Sequence, residues 1–303
     1  MKKTVRRRAF DTKLTLSGCD ALLTKVYAGR GIADSKDLDR TLQAMLPFHL
    51  LKDIDKACDR LYKALIEKQH VMIIGDYDVD GATSTVLVIK MLRALGMEHV
   101  TFLVPNRFEY GYGLSPEIVT EAAKQSPQLL ITVDNGIVSY PGVDLANQLG
   151  IEVIITDHHL PGEGLPDAVA VVNPNRKDDT FPSKHLAGVG VAFYLMVAFR
   201  AHLREKEWFT PARPEPSLAN VLDLVALGTV ADLVPLDGNN RLLVYQGLQR
   251  IRHGKACFGI QALIQLSGKM TSTLSSADLG FALGPRINAV GRLDDMTVGI
   301  ECL

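Results

Sequence analysis

The run Val71-Met-Ile-Ile-Gly75-Asp76-Tyr-Asp78-Val-Asp80-Gly81 decides how the rest of the chain is read. Four apolar residues, mostly β-branched, end in a glycine and pass directly into three carboxylates at alternate positions. Such a short run, apolar at every position, reads as a strand covered on both faces. A second junction of the same kind follows about eighty residues later, where Glu152-Val-Ile-Ile-Thr156 runs into Asp157-His158-His159. If both strands lie in one parallel sheet, both marks open into one crevice.

Outward from these two points, strand and helix signals alternate. Strands are expected at 99–104, 129–133 and 168–172 beside 71–75 and 152–156. Helices are expected at 55–69, where Cys58, Leu61 and Leu65 recur at helical spacing, and at about 83–95, 116–125 and 140–149. Ser115-Pro116 is a good helix start, a capping hydroxyl followed by proline in the first turn. The pattern predicts an α/β fold with a doubly wound, mostly parallel sheet. From about 187 the apolar period changes to 3.6, and a linker, Pro211-Ala-Arg-Pro214-Glu-Pro216, separates that helix from one at 218–231. Residues 240–303 read as mainly helical, with breaks at Gly254, Gly268 and Gly284-Pro285.

A chain of 303 residues with 47% hydrophobic and 22% charged residues is ordinary for a soluble enzyme. No run of eighteen apolar residues suggests a membrane span. The basic start, Met1-Lys-Lys-Thr-Val-Arg-Arg-Arg, lacks the apolar stretch of a secretory signal and reads as a solvated, disordered arm, the alternative being an arm that touches an anionic partner. Cys19, Cys58, Cys257 and Cys302 show no CxxC spacing, which argues against zinc and disulfides and for a reducing cytosol. The net charge of -1 gives the whole chain no electrostatic footprint for nucleic acid. The end at Glu301-Cys-Leu303 carries no stop signal and is expected to be a truncation.

Ligands of open α/β sheets sit beyond the carboxyl ends of the strands. There this sequence places Asp76, Asp78 and Asp80, then Asn106 and Arg107, then Asp134-Asn135, then Asp157-His158-His159, then Asn173. Carboxylates mixed with imidazole suit Mn²⁺, or Mg²⁺ where oxygen dominates. Asp134, alone at a central strand end, is the candidate to bridge two ions. Neighbouring side chains on an extended segment point opposite ways, so one histidine can take metal while the other faces substrate. Arg107 suits a bidentate grip on a phosphate. Asp232, in Gly228-Thr-Val-Ala-Asp232-Leu-Val-Pro-Leu, is a candidate last carboxylate. Arg286 and Arg292, in a glycine-punctuated turn, suit phosphate or base contacts. An EF-hand reading of the Asp triplet fails because its twelfth position is Leu87 and a strand precedes it. Gly188-x-Gly190 is half of a dinucleotide fingerprint, and no GxxxxGK[ST] or GxSxG is present.

Asp-Tyr-Asp-Val-Asp-Gly, Val-Asp-Asn-Gly, Asp-His-His and Gly-Thr-Val-Ala-Asp-Leu-Val-Pro-Leu, in this order, resemble the motifs of the DHH phosphoesterases. Pro-Asn-Arg-Phe-Glu-Tyr-Gly-Tyr-Gly and Gly-Pro-Arg-Ile-Asn-Ala-Val-Gly-Arg-Leu narrow the likeness to that family's bacterial single-strand-specific 5′→3′ DNA exonucleases, over about residues 20–300. The resemblance implies a hydrolase that uses two divalent cations, Mn²⁺ or Mg²⁺. It would release 5′-mononucleotides from single-stranded DNA with a 5′ end, in recombination and repair. It assigns Asp76, Asp78, Asp80, Asp134, His158 and Asp232 to the metals, with Asp134 and His159 catalytic and His159 on the scissile phosphate. Arg107 would hold the 5′ phosphate, and Arg286, Asn288 and Arg292 the terminal nucleotide. The first metal is expected on Asp76, Asp78 and Asp134, the second on Asp80, Asp134, His158 and Asp232.

On this reading 1–50 is an N-terminal extension, helical and partly disordered, and 51–235 is the DHH catalytic domain. Residues 236–303 are a helical segment leading toward a further, DHH-associated domain. A cytoplasmic monomer without membrane contact is expected, with single-strand-binding protein and a helicase as candidate partners. The alternatives are a DHH phosphoesterase acting on short oligonucleotides, cyclic dinucleotides or pyrophosphate, and a non-catalytic DNA-replication scaffold. The arginine-bearing motifs argue against the first, and the full set of metal acids against the second.

Overall fold

All five apolar runs become strands of a single parallel sheet: β1 (Val71–Ile74), β2 (Val100–Leu103), β3 (Leu129–Val133), β4 (Glu152–Thr156) and β5 (Ala170–Val172). The computed structural model describes residues 4, 9, 13–104, 113–293 and 295–303. The strand order is β2-β1-β3-β4-β5, every pair parallel. The chain leaves β1 toward one flank and returns to β3 on the other. Connections therefore diverge between β1 and β3 and leave a crevice at their carboxyl ends, where such sheets bind ligands. The register sets Ile74 beside Thr132 and Val133 beside Thr156, so the three strands end level.

The helices are α1 (Ala21–Ala28), α2 (Ile54–Ile66), α3 (Val79–Ala94), α4 (Pro116–Ala123), α5 (Tyr140–Gln148), α6 (Gly188–Glu205), α7 (Leu222–Ala231), α8 (Gly238–Arg252), α9 (Phe258–Leu266), α10 (Ser276–Asp278), α11 (Gly284–Leu293) and α12 (Thr297–Cys302). Alternate strand residues feed two cores, as the pleat requires. Val71, Ile73, Ile131, Val133 and Ile154 pack with α2, α3, α6 and α7, whereas Met72, Ile74, Leu130 and Ile155 pack with α4 and α5. The sheet is thus doubly wound, as the sequence implied. Helix α3 is buried almost all round, so its hydroxyls turn inward: Thr83 Oγ1 donates to Val79 O and Thr85 Oγ1 to Gly81 O, both at 2.8 Å. No helix among the described residues is long and apolar enough to cross a membrane.

The C-terminal part departs from expectation at one place. Gly284-Pro285 does not break the chain; a π-helical turn, Leu279–Leu283, runs straight into α11. The widened turn removes the clash that a proline ring otherwise makes with the carbonyl four residues back. Arg286 and Arg292 therefore stand on a helix, not in a glycine-punctuated turn.

Helices α7 and α8 touch through Gly247. A Cβ there would overlap the Leu222 carbonyl oxygen and come within 2.5 Å of Ala226 Cβ. Alanine favours a helix over glycine by about 1 kcal/mol, but forcing packed helices apart costs about 1–3 kcal/mol. Gly247→Ala is expected to lower Tm by a few degrees; an unchanged or raised Tm in calorimetry would contradict the tight packing.

Candidate metal centre

The first carboxylates are set by the β1–α3 junction. Asp76 leaves β1 only 4% exposed. Asp78 caps α3, its Oδ1 accepting Gly81 N–H at 3.0 Å. The cap starts the helix at Val79 rather than near 83, and so puts Asp80 in the first turn. Gly81 is needed here because a Cβ would lie 2.6 Å from Asp76 Cβ. Asp80 accepts two bonds from the start of α6, Gly188 N–H at 2.6 Å and Val189 N–H at 2.9 Å. Those N–H groups have no partner within their own helix, and their dipoles favour negative charge.

Asp134 ends β3 in the left-handed region, φ 63°, a conformation that costs a non-glycine residue about 1 kcal/mol or more. Its N–H bonds to Thr156 O at 3.0 Å, and its carboxyl lies flush on Gly188, where a Cβ would come 2.5 Å from Asp134 Oδ1. Gly228 of α7 is constrained in the same way, 2.9 Å from Asp80 Oδ1 by the same test. The Gly188 seen in sequence as half of a dinucleotide fingerprint is thus a space for two carboxylates.

Asp157, which the sequence reading left without a role, organises both histidines. Its Oδ1 accepts His158 N–H at 2.7 Å, His159 N–H at 3.0 Å and His159 Nδ1–H at 2.7 Å; Oδ2 accepts Ile137 N–H at 2.9 Å. Asn173 Nδ2 and Asn175 Nδ2 hold the carbonyls of His159 and His158 at 3.0 and 2.5 Å. These bonds curl the segment, so the histidines do not point opposite ways as an extended strand would direct them. Their ring centroids are 4.4 Å apart.

His158 Nε2 lies 3.1 Å from Asp134 Oδ1, 3.6 Å from Asp232 Oδ2 and 3.9 Å from Asp80 Oδ2. Asp232 reaches this point as the residue that ends α7. Three triads have ligand atoms within 4.8 Å of one another: Asp76, Asp78 and Asp134; Asp80, His158 and Asp232; Asp134, His158 and His159. All six residues expected at the metals are therefore brought together.

Burial, then neighbouring carboxylates, raise the acids. Asp76 and Asp232 are pushed up to about 7, in each case by burial and then by Asp78. Asp80 and Asp134 go well above the carboxylate range, through burial and then repulsion from Asp232 and Asp80 respectively. Burial and then His159 push His158 down to about 4, so it is neutral. The Asp157 hydrogen bond raises His159 from its ordinary value and outweighs its burial. Among the described residues Asp76 Oδ1, His158 Nε2 and Asp232 Oδ2 are buried without a hydrogen-bond partner. Five carboxylates and a neutral imidazole with unused lone pairs fit hard divalent cations.

The remaining expectations are less complete. Arg107 lies outside the described residues. Arg286 is exposed on α11 and donates to Ala282 O. Asn288 Oδ1 accepts Val79 N–H at 3.0 Å, tying α11 to the Asp78–Asp80 turn. Arg292 belongs to the backbone of α11.

The profile of the DHH family, N-terminal domain, matches residues 70–229, more than half of the 303 residues. The chain belongs to the DHH family. Single-stranded-DNA-specific exonuclease RecJ of Salmonella typhimurium is 55% identical over 299 residues, covering 98% of this chain and 52% of that protein. A crystal structure of exonuclease RecJ bound to manganese is similar at a TM-score of 0.72 and 35% identity, over 84% of this chain and 61% of that one. RecJ in complex with Mn²⁺ from Thermus thermophilus gives 0.75 at 34% identity, over 91% of this chain and 38% of that one. The chain spans about half the length of the curated relatives it matches.

Two outcomes follow for this DHH core. Asp157→Asn removes the carboxylate that raises the His159 pKa, so NMR titration should show His159 falling toward the ordinary value of about 6.5; an unmoved titration refutes that cause. A carboxyl whose folded pKa lies above its unfolded value stabilises fully below the unfolded value and loses that contribution as pH rises through the folded one. For Asp76 and Asp232 this window runs from the ordinary 3.8 to about 7. In EDTA, Asp76→Asn/Asp232→Asn is therefore expected to melt a few degrees above wild type at pH 8, with the gain gone near pH 4. No gain at pH 8 counts against repulsion in the crevice.

Proposed function

We propose that this chain is the catalytic part of a single-strand-specific 5′→3′ DNA exonuclease, a hydrolase that uses two divalent cations and releases 5′-mononucleotides in recombination and repair. The observation that carries the reading is the overlap of the three ligand triads at Asp134 and His158. The relatives named single-stranded-DNA-specific exonuclease and the manganese-bound structures support it. Mn²⁺ and Mg²⁺ are both candidates for the metal.

In this reading Asp76, Asp78 and Asp134 would hold one cation, and Asp80, His158 and Asp232, together with Asp134, would hold the other. When bound, such a pair supplies Lewis-acid activation of water and neutralises charge on the scissile phosphate. His158 serves as a neutral ligand. His159, whose pKa Asp157 raises, would donate a hydrogen bond to a phosphate oxygen and offset charge that develops there. Arg107 takes the 5′-terminal phosphate, and Arg286, Asn288 and Arg292 the terminal nucleotide. Catalysis belongs to 51–235, with 236–303 contributing α11 to the substrate side. The protein would act in the cytoplasm as a monomer, with single-strand-binding protein and a helicase as partners.

The test uses the full-length protein, Mn²⁺ and single-stranded DNA labelled at either end. The 5′ label is expected to appear at once as mononucleotide, while the 3′ label persists in shortening strands. Asp134→Ala should lose Mn²⁺ binding in calorimetry and at least a hundredfold in turnover. Release of the 3′ label first, or Mn²⁺ binding untouched by Asp134→Ala, overturns the reading.

A further inference from the structure

A cavity of about 640 Å³ lies between the N-terminal extension and the start of α8, lined by Arg30, Arg40 and Arg241 together with Asp37 and Asp39. The ion-paired arginines of the described residues are Arg60, Arg176, Arg200 and Arg204. The three cavity arginines are not among them. Arg40 stands 5.0 Å over the Tyr245 ring, and Arg241 reaches only the Leu236 carbonyl, at a long 3.4 Å. The acids are differently placed. Asp37 Oδ2 accepts Ala33 N–H and Asp34 N–H at 2.8 and 3.0 Å, and Asp39 Oδ1 accepts Thr41 N–H at 2.8 Å. Each carboxylate is thus bound to backbone of its own turn, while the guanidinium groups line open volume.

Guanidinium forks match phosphate oxygens in pairs. Gly238 and Arg241 come from the first turns of α8, whose N-terminus is capped by the Asp237 carboxylate accepting Asn240 N–H at 2.9 Å, so the arginines alone supply the positive charge on that wall. Leu236, also on the wall, is four residues from Asp232. At no more than about 3.6 Å per residue the two backbones are at most about 14 Å apart, a reach of a few nucleotides. The net charge of -1 conceals this local concentration of arginine. We propose that the cavity is a second phosphate subsite, taking a backbone phosphate of the strand whose 5′ end lies at the metal centre. The proposal rests on the nuclease reading above.

The test measures binding of a long 5′-phosphorylated oligothymidylate to full-length protein over a range of salt, in an Asp78→Ala parent that does not consume the strand. Each single-strand phosphate contact contributes about 0.7 to the slope of log K against log salt. Arg30→Gln/Arg241→Gln is expected to weaken binding about 10-fold and to flatten the slope by about 0.7, the contribution of one phosphate. Arg30→Lys/Arg241→Lys, which keeps both charges, should retain the parent slope, and equal Tm values exclude a folding defect. Affinity and slope unchanged in the glutamine pair overturn the subsite. So does a glutamine pair that loses only stabilisation by inorganic phosphate, because that outcome assigns the cavity to the free ion. A parent that binds no single strand at any salt removes the nuclease reading instead.

Discussion

Mutual repulsion among carboxylates at one sheet edge is the constraint on which this structure depends. Asp80 and Asp134 are almost wholly buried and Asp76 nearly so, with Asp78 and Asp232 beside them. Such groups cannot all ionise in a low-dielectric crevice without compensation. Two backbone N–H groups of α6 offset part of the cost at Asp80. His158 stays neutral and adds no positive charge. What remains uncompensated is a concentration of negative charge with unused lone pairs, which divalent cations neutralise. The strain stored at Asp134, held left-handed at the end of the central strand, is tolerable because β3, β4 and α6 fix it from three sides.

Close backbone approach is the device that gathers the acids. Glycine stands where α3 meets Asp76 (Gly81), where α6 meets Asp134 (Gly188), where α7 meets Asp80 (Gly228) and where α11 meets the Tyr77 carbonyl (Gly291). At each point a single methyl would displace a ligand or the loop that bears it. The convergence of four helices on two strand ends is therefore a packing solution, achieved by omitting side chains.

The strands and the double winding were legible because parallel strands covered on both faces leave uninterrupted apolar runs, and all five were placed within about two residues. Five of the metal candidates, Asp76, Asp78, Asp80, Asp134 and His158, come together for a related reason, since level strand ends put the residues that follow β1, β3 and β4 on one edge, whereas Asp232 joins them from the end of α7. What was not legible depends on bonds between side chains and distant backbone. The start of α3 hinges on the Asp78 cap and on Asn288, which is 209 residues from Val79 in sequence. The turn of the histidines hinges on Asp157, whose own bonds override the extended geometry. The helical course of Gly284–Leu293 hinges on a π turn that no local propensity announces. The arginine cavity joins three separate stretches, which spacing alone cannot bring together.

The two adjacent histidines show how far environment, not residue type, assigns roles. Both begin from the same intrinsic pKa, and burial of His158 together with the bond from His159 to Asp157 separates them. Burial holds His158 neutral, and a neutral Nε2 can offer its lone pair to a cation. The Asp157 carboxylate raises the pKa of His159 at a more exposed position and so favours its donating, protonated form. Environments that push paired titratable groups apart mark the division of acid and base work in a site. Here the same carboxylate also anchors both backbone N–H groups, so the charge on His159 and the direction of both rings depend on one residue. Asp157 is therefore the position at which geometry and protonation are coupled, although it belongs to none of the ligand triads.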